Sequence, residues 1–377
     1  MKSYGYATVS DILGNQIVFR NLIPYDSRLP GLPDLQEKLG FAGNFLPRKS
    51  MPDYGKVLTE IVQAAQELSV PGTPLQRCIY IGDTRMNDGK AFLNICKASG
   101  WDGIAFIGSD RPGRLQVKVE PVGSETFYIA SRWEALKQFT TYLDEINFTI
   151  DEQTVVLIDL DKTILGARGR NDKTIDAKRL AAANDTLFDA LGSDYNPAVF
   201  QDAYNTFNQV EFHPFTADNQ DYLVYICLII SSGLISTADL VQDVRNHDDP
   251  DFEHFLNFVD ERRALLPAKV HEIHQDIFTR VKSGDPTPFK AFRYHEYKRT
   301  IQHMGHLPDN APIEQILAEE IVITGEILHL ANRWKELGAL LFGLSDKPDE
   351  AILPPPTLKT QGYLPVHQTI THVIGAE

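Results

Sequence analysis

Cysteine is scarce in this chain. Three occur in 377 residues, Cys78, Cys96 and Cys227, at no metal-ligand spacing. An odd, sparse set excludes a disulfide framework and a cysteine-based zinc site; it points to reduced thiols, buried as small hydrophobes, in a cytoplasm. No basic segment followed by an apolar run lies in residues 1–40, so no secretion signal is expected. The longest apolar run, Tyr222 to Ile230, is too short to cross a bilayer. Positive charge is also in deficit: 36 Lys and Arg against 51 Asp and Glu give a net charge of −15. Such a chain gains no long-range attraction to nucleic acid or anionic lipid, and neither is expected as a partner. An anionic ligand then calls for a metal or a local basic cluster. There is no internal repeat and no low-complexity tract. What remains is ordinary: 43% hydrophobic and 23% charged residues, in a length that suits two or three domains.

Apolar spacing organises the chain. Residues 7–12 and 16–19 predict a hairpin, and Pro- and Gly-rich links follow. Val57 to Leu68 has helical spacing, Arg77 to Ile81 reads as a strand, Gly89 to Ser99 as a helix and Gly103 to Ile107 as a second buried strand. That order is a parallel α/β unit. Phe127 to Ala130 predicts another strand, and Arg132 to Ile146 an amphipathic helix. Val155 to Ile158 is apolar and mostly β-branched, a strand buried on both faces. Residues 166–330 are dominated by helical patterns, including Phe252 to Val281 and Ile313 to Leu337, and are long enough to hold their own core. Ala339 to Leu344 and Thr371 to Gly375 return to strand. The expected domains are 1–165 and 331–377, which share an α/β core, and 166–330, which is helical.

Carboxylates stand at the ends of two of these strands. Asp159 and Asp161 follow Val155 to Ile158, and Gly82-Asp83, with Asp88 beyond, follows Arg77 to Ile81. Ligands bind at the carboxyl ends of strands in open α/β sheets. Two acidic side chains placed there repel each other unless a cation shares them. Oxygen donors of this kind suit Mg²⁺ retaining several waters. Read singly, each such Asp is as easily a turn former or helix cap; two loops of the same form argue for a site.

The run Val-Val-Leu-Ile-Asp159-Leu-Asp161-Lys-Thr163 resembles the first motif of the haloacid dehalogenase superfamily, a hydrophobic strand followed by D-x-D-x-T. Gly82-Asp83-x4-Asp88 is similar to that family's fourth motif. Leu341 to Pro348, with Ser345-Asp346-Lys347, is similar to the second. The third is a Lys near a helix start; Lys56 is the first choice and Lys49 the alternative. The order departs from the family: the third and fourth motifs precede the first and second. None is duplicated, so the resemblance implies one circularly permuted three-layer Rossmann-like core rather than two broken halves. The helical cap would be inserted after the first motif, with the strand Thr371 to Gly375 leading into the third.

The resemblance implies a Mg²⁺-dependent phosphatase acting on a small phosphorylated metabolite. Asp159 would be the nucleophile, Asp161 the general acid and base, Ser345 a hydrogen-bond donor to the phosphoryl group and Lys56 its counter-charge. The metal would be held by Asp159, the Asp161 backbone carbonyl and Asp83, with Asp88 bound directly or through water. Thr163 would order the motif loop. A charged Lys162 stands where many members have Gly. A phosphotransferase using the same residues, or a non-catalytic binding protein of the same fold, are the alternatives.

Other residues offer candidate sites. Arg168-Gly169-Arg170 and Lys173 read as a grip for an anionic substrate tail or as a solvated turn. Phe292 to Arg299 reads as a base-and-aromatic patch or as a solvated helical face over buried rings. His271 with His274, and His303 with His306, have helical spacing that can pair ligands, and read more simply as ordinary histidines.

Overall fold

The β-branched runs form strands and the amphipathic runs pack over them. A computed structural model describes residues 1–41, 45–247 and 251–376. Its strands are β1 Lys2–Ala7, β2 Ile17–Val18, β3 Arg77–Gly82, β4 Asp102–Gly108, β5 Val117–Val122, β6 Glu125–Ala130, β7 Thr154–Asp159, β8 Ile323–Thr324, β9 Leu340–Leu344 and β10 Thr371–Gly375. Seven of them make one sheet in the order β2-β9-β7-β3-β4-β6-β5, parallel except for β5, which runs antiparallel to β6.

β7 is buried at every position, because both sheet faces are covered. On one face Val155 and Leu157 pack with the helices Pro52–Ser69 and Asp88–Ser99. On the other, Phe106 of β4 packs on Trp133 and Phe139, and Phe139 packs on Trp334 of the helix Gly325–Glu336. The result is an α/β fold with a mostly parallel seven-stranded sheet, compatible with a three-layer Rossmann-like architecture. A second, three-stranded sheet has the order β1-β10-β8.

The chain divides into two compact units, Met1–Ala177 with Thr300–Glu377, and Lys178–Arg299. The second is helical. Its core gathers Phe200, Phe207, Phe255 and Val270 around the helix Gln220–Ser231, whose residues Leu223 to Ile230 are all buried. The expected limits of the helical segment, 166 and 330, therefore move inward. The reason is local pairing: β8 joins β10, and the Asn171 side-chain amide donates to the carbonyls of Leu317 and Glu320, which ties both margins to the α/β unit.

Other expectations are corrected. Residues 7–19 are not a hairpin: Ala7 ends β1, Thr8 caps the helix Val9–Leu13 in a capping box with Asp11, and beyond it Ile17–Val18 is strand. The span 313–337 is two helices separated by β8, and 252–281 is broken between Glu261 and Ala268. β10 does not lead into the third motif within the main sheet; it pairs with β1 and β8, and the strand preceding Lys49 there is β2.

Candidate active site

Register brings the acidic loops together. Ile81 is level with Ile158, and Asp159 with Leu344, so β3, β7 and β9 end side by side. Asp83 and Ser345 each lie one residue beyond the ends of the strands flanking Asp159. Neighbouring strands lie about 4.8 Å apart, within reach of a common ligand. Asp83, Asp88 and Asp159 each present a carboxylate oxygen within 4.8 Å of the others'.

Lys49 stands among these groups. Its Nζ donates to Asp159 Oδ1 at 2.7 Å, to Asp88 Oδ1 at 2.9 Å and to Asp346 Oδ2 at 2.9 Å, with the lysine side chain 7% exposed. Lys56, the first choice from sequence, is half-exposed on the helix Pro52–Ser69 and pairs with Asp53 at 2.7 Å. One turn into that helix, its side chain is engaged with a neighbour three residues back. The site lysine is Lys49, placed just before the helix start; the Asn94 side-chain amide donates to its carbonyl at 3.0 Å and fixes its backbone.

Asp88 is 1% exposed, and its oxygens are filled by protein donors. Oδ2 accepts from the Asp83 and Thr84 backbone N–H groups and the Thr84 hydroxyl, and Oδ1 from Lys49 and the Tyr80 hydroxyl. Its side chain lies over Gly82, where an added Cβ would fall 2.6 Å from Asp88 Cβ. That close approach explains the glycine before Asp83. Asp88 thus shapes the loop, leaving Asp83 as its freer carboxylate. Arg168 Nε donates to Asp83 Oδ2 at 2.5 Å.

Asp161 stands apart from the three-carboxylate group. The Ser345 hydroxyl donates to Asp161 Oδ2 at 3.3 Å, and Lys347 Nζ lies 3.4 Å from Asp161 Oδ1. Lys162 has φ +62°, the left-handed region that favours glycine. The Lys162 side chain pairs with Asp176 at 2.8 Å. Thr163 is buried, and its carbonyl accepts from the Thr324 hydroxyl at 2.5 Å.

Electrostatics mark the cluster. Burial pushes the Asp83 carboxyl up, and the Asp88 charge adds to it, reaching about 8 against the opposing pull of Arg168. Burial also raises Asp159 well above the ordinary range, with Lys49 opposing. Burial would raise Asp88, but Lys49 and its other donors hold it well below the usual value. Lys49 would be lowered by burial; the three carboxylates overcome that and raise it. Among the described residues, Asp83, Asp88, Asp159, Asp161 and Asp346 stand with Lys49, Arg168 and Lys347; fully ionised, these carboxylates would outnumber these cations by two, and burial resists that charge by pushing Asp83 and Asp159 up. A hard divalent cation taking oxygen ligands fits that excess.

Several of the other sequence candidates have structural partners, whereas His271 Nε2 is buried without a hydrogen bond. His274 is buried, with Nδ1 2.6 Å from the Tyr225 hydroxyl. His306 Nδ1 lies 3.4 Å from Glu320. Along Phe292 to Arg299, Arg293 and Glu296 are buried with Phe292 and Tyr297, so this is not simply a solvated face. Arg170 is buried and paired with Asp110 and Glu326. All three cysteines are free and buried. Among the described residues no helix is long and apolar enough to cross a membrane.

No family model, curated protein or solved structure matches this chain.

Proposed function

We propose that this chain is a Mg²⁺-dependent phosphohydrolase of the haloacid dehalogenase type, with its motifs circularly permuted, acting on a small phosphorylated metabolite. One observation carries the reading: a buried lysine lies 2.7 Å from a buried strand-end aspartate whose neighbouring strands end in Asp83 and Ser345. Residues distant in sequence supply one constellation, which is what a permuted order requires.

Asp83 and Asp159, with the Asp161 backbone carbonyl, would hold the Mg²⁺, whose chemistry there is to draw charge off the phosphoryl oxygens as an anionic nucleophile approaches. Asp159 attacks phosphorus, and the ester P–O bond breaks as an aspartyl-phosphate forms. Asp161 gives its proton to the leaving oxygen. Water then attacks phosphorus, Asp161 takes the water's proton, and the bond to Asp159 breaks to release phosphate. The Ser345 hydroxyl, beside Asp161, is placed to donate to a phosphoryl oxygen. Lys49 neutralises charge on the nucleophile and the phosphoryl group, and in a loose transition state such positioning and charge stabilisation is most of the catalysis.

The test is phosphate release from an aryl phosphate and a panel of phosphorylated metabolites. Turnover should require Mg²⁺, stop with EDTA and fall by about 10³-fold or more in Asp159→Asn. Absence of turnover across the panel would leave a binding protein. Phosphoryl transfer to an added alcohol in place of hydrolysis would favour the transferase.

A further inference from the structure

Arg168 is tethered at its backbone and at one side-chain nitrogen, and its remaining nitrogens are left over. Its N–H donates to the Lys162 carbonyl at 2.7 Å, and its own carbonyl accepts from the Asp110 N–H at 2.8 Å and from Trp133 Nε1 at 3.1 Å. The next residue, Gly169, has φ +79°, and an added Cβ would lie 1.9 Å from the Asp110 carbonyl oxygen. The segment is therefore pressed against the loop after β4 and cannot shift easily. From this fixed base the side chain reaches Asp83 through Nε alone. Nη1 and Nη2 have no partner among the described residues, and the side chain is 37% exposed.

A guanidinium used only to neutralise Asp83 would gain most by offering a two-pronged face, as Arg–carboxylate pairs commonly do. Here it offers its inner nitrogen. The contrast with Arg170, two residues on, is direct: that guanidinium is buried, meets Glu326 with both Nη atoms and gives Nε to Asp110. Arg170 is consumed by the fold, whereas Arg168 keeps its fork open beside Asp83, whose carboxylate lies within 4.8 Å of Asp159.

We propose that Arg168 reads the substrate: its two terminal nitrogens grip a second anionic group, a carboxylate or a second phosphate, on a small phosphomonoester whose phosphoryl group lies at Asp159. The assignment rests on the phosphohydrolase reading for the position of the phosphoryl group. It narrows the substrate class to diacids, because the uncharged remainder of a simple alkyl phosphate gives the fork nothing to hold. The anchoring of Nε on Asp83 pre-orients the fork and lowers the ordering cost of binding.

The test separates binding from turnover. Calorimetry on full-length Asp159→Asn protein with Mg²⁺ compares phosphoglycolate with ethyl phosphate, and fructose 1,6-bisphosphate with fructose 6-phosphate. In at least one pair the diacid should bind ~10- to 100-fold more tightly than its partner, the scale of a charge-assisted pair. The pair showing the preference tells carboxylate from phosphate. Adding Arg168→Gln should bring the partners to within about threefold, and Arg168→Lys should keep part of the preference. In otherwise wild-type protein the same changes should raise KM for the diacid by a larger factor than they raise KM for the monoacid, whatever loss both substrates share through Asp83.

Equal binding of the partners in both pairs, no binding of any probe, or a preference that survives Arg168→Gln overturns the proposal. So does a loss that falls equally on both partners together with Mg²⁺ affinity, since Arg168 would then only hold Asp83. Failure of the phosphohydrolase reading shows separately, as absent turnover in wild-type protein. The calorimetric preference remains readable in that case.

Discussion

Both compact units bury a cation among carboxylates, and the two arrangements differ in charge balance. In the helical unit, Arg293 meets Asp221 through Nη2 and Glu296 through Nη1, and Arg179 lies 3.2 Å from Glu296. Among these described residues two cations face two anions. The Phe289 N–H also donates to Asp221 at 3.0 Å. In the α/β unit the five carboxylates beside Lys49, Arg168 and Lys347 would, fully ionised, exceed those cations by two, and Asp83 and Asp159 are pushed up accordingly. A charge-balanced buried network neutralises itself and holds helices together, even with Arg293 Nε left without a hydrogen bond. An unbalanced one at strand ends has capacity for another cation, and this distinguishes a site from a brace when burial alone does not.

The comparison breaks most readily by removing each central cation. Arg293→Met leaves Asp221 and Glu296 buried without their partner and should cost about 3–5 kcal/mol of stability in urea unfolding. Mg²⁺ should raise its thermal midpoint no more than it raises the wild type's. Lys49→Met should lower kcat by about 10²- to 10³-fold, the scale of losing one transition-state charge contact. It should also enlarge the Mg²⁺-induced rise in thermal midpoint, because the carboxylate excess grows. Equal Mg²⁺ responses in the two variants would erase the distinction drawn here.

A smaller effect sharpens it through pH. The Asp83 carboxyl titrates near 4 when unfolded and at about 8 when folded. Between those values the folded protein holds the extra proton, so metal-free stability falls as pH rises, by at most ~1.4 kcal/mol per pH unit from this group. Mg²⁺ must displace that proton, so its stabilising effect should be larger at pH 8 than at pH 6. Differential scanning fluorimetry at both pH values checks this; a Mg²⁺ shift independent of pH would count against Asp83 as a ligand. Smallest of all should be Lys56→Ala. An exposed pair three residues apart contributes about 0.5 kcal/mol or less, and phosphate release should not change.

Much of the site was legible because it sits on strands. Val155 to Ile158 and Arg77 to Ile81 announce buried parallel strands, and the residues after such strands share one sheet edge whatever their separation in sequence. Lys49 was less legible. It lies in irregular chain with no periodicity around it, while Lys56 occupies a helix that periodicity makes conspicuous. The partnership of Asp346 with Lys49 depends on β9 lying beside β7, which no local pattern reveals. Short strands were the other blind spot. β2 and β8 have two residues each, too few to show alternation, and Thr8 to Asp11 reads as hairpin or capped helix until tertiary packing decides. β5 is a mostly exposed edge carrying Pro121, a residue that argues against a strand.

The position of β7 has a consequence for biosynthesis. One of its edges pairs with β3, made earlier, and the other with β9, which follows roughly 180 residues later. At ~5–20 residues per second the ribosome takes on the order of 10–40 s to deliver that second neighbour. Throughout that interval a strand buried at every position in the finished sheet has one ladder of backbone groups unpaired, a surface that invites association with other nascent chains. Chaperone dependence should therefore concentrate in this window of translation, and slowing elongation within the helical segment should lower the soluble yield.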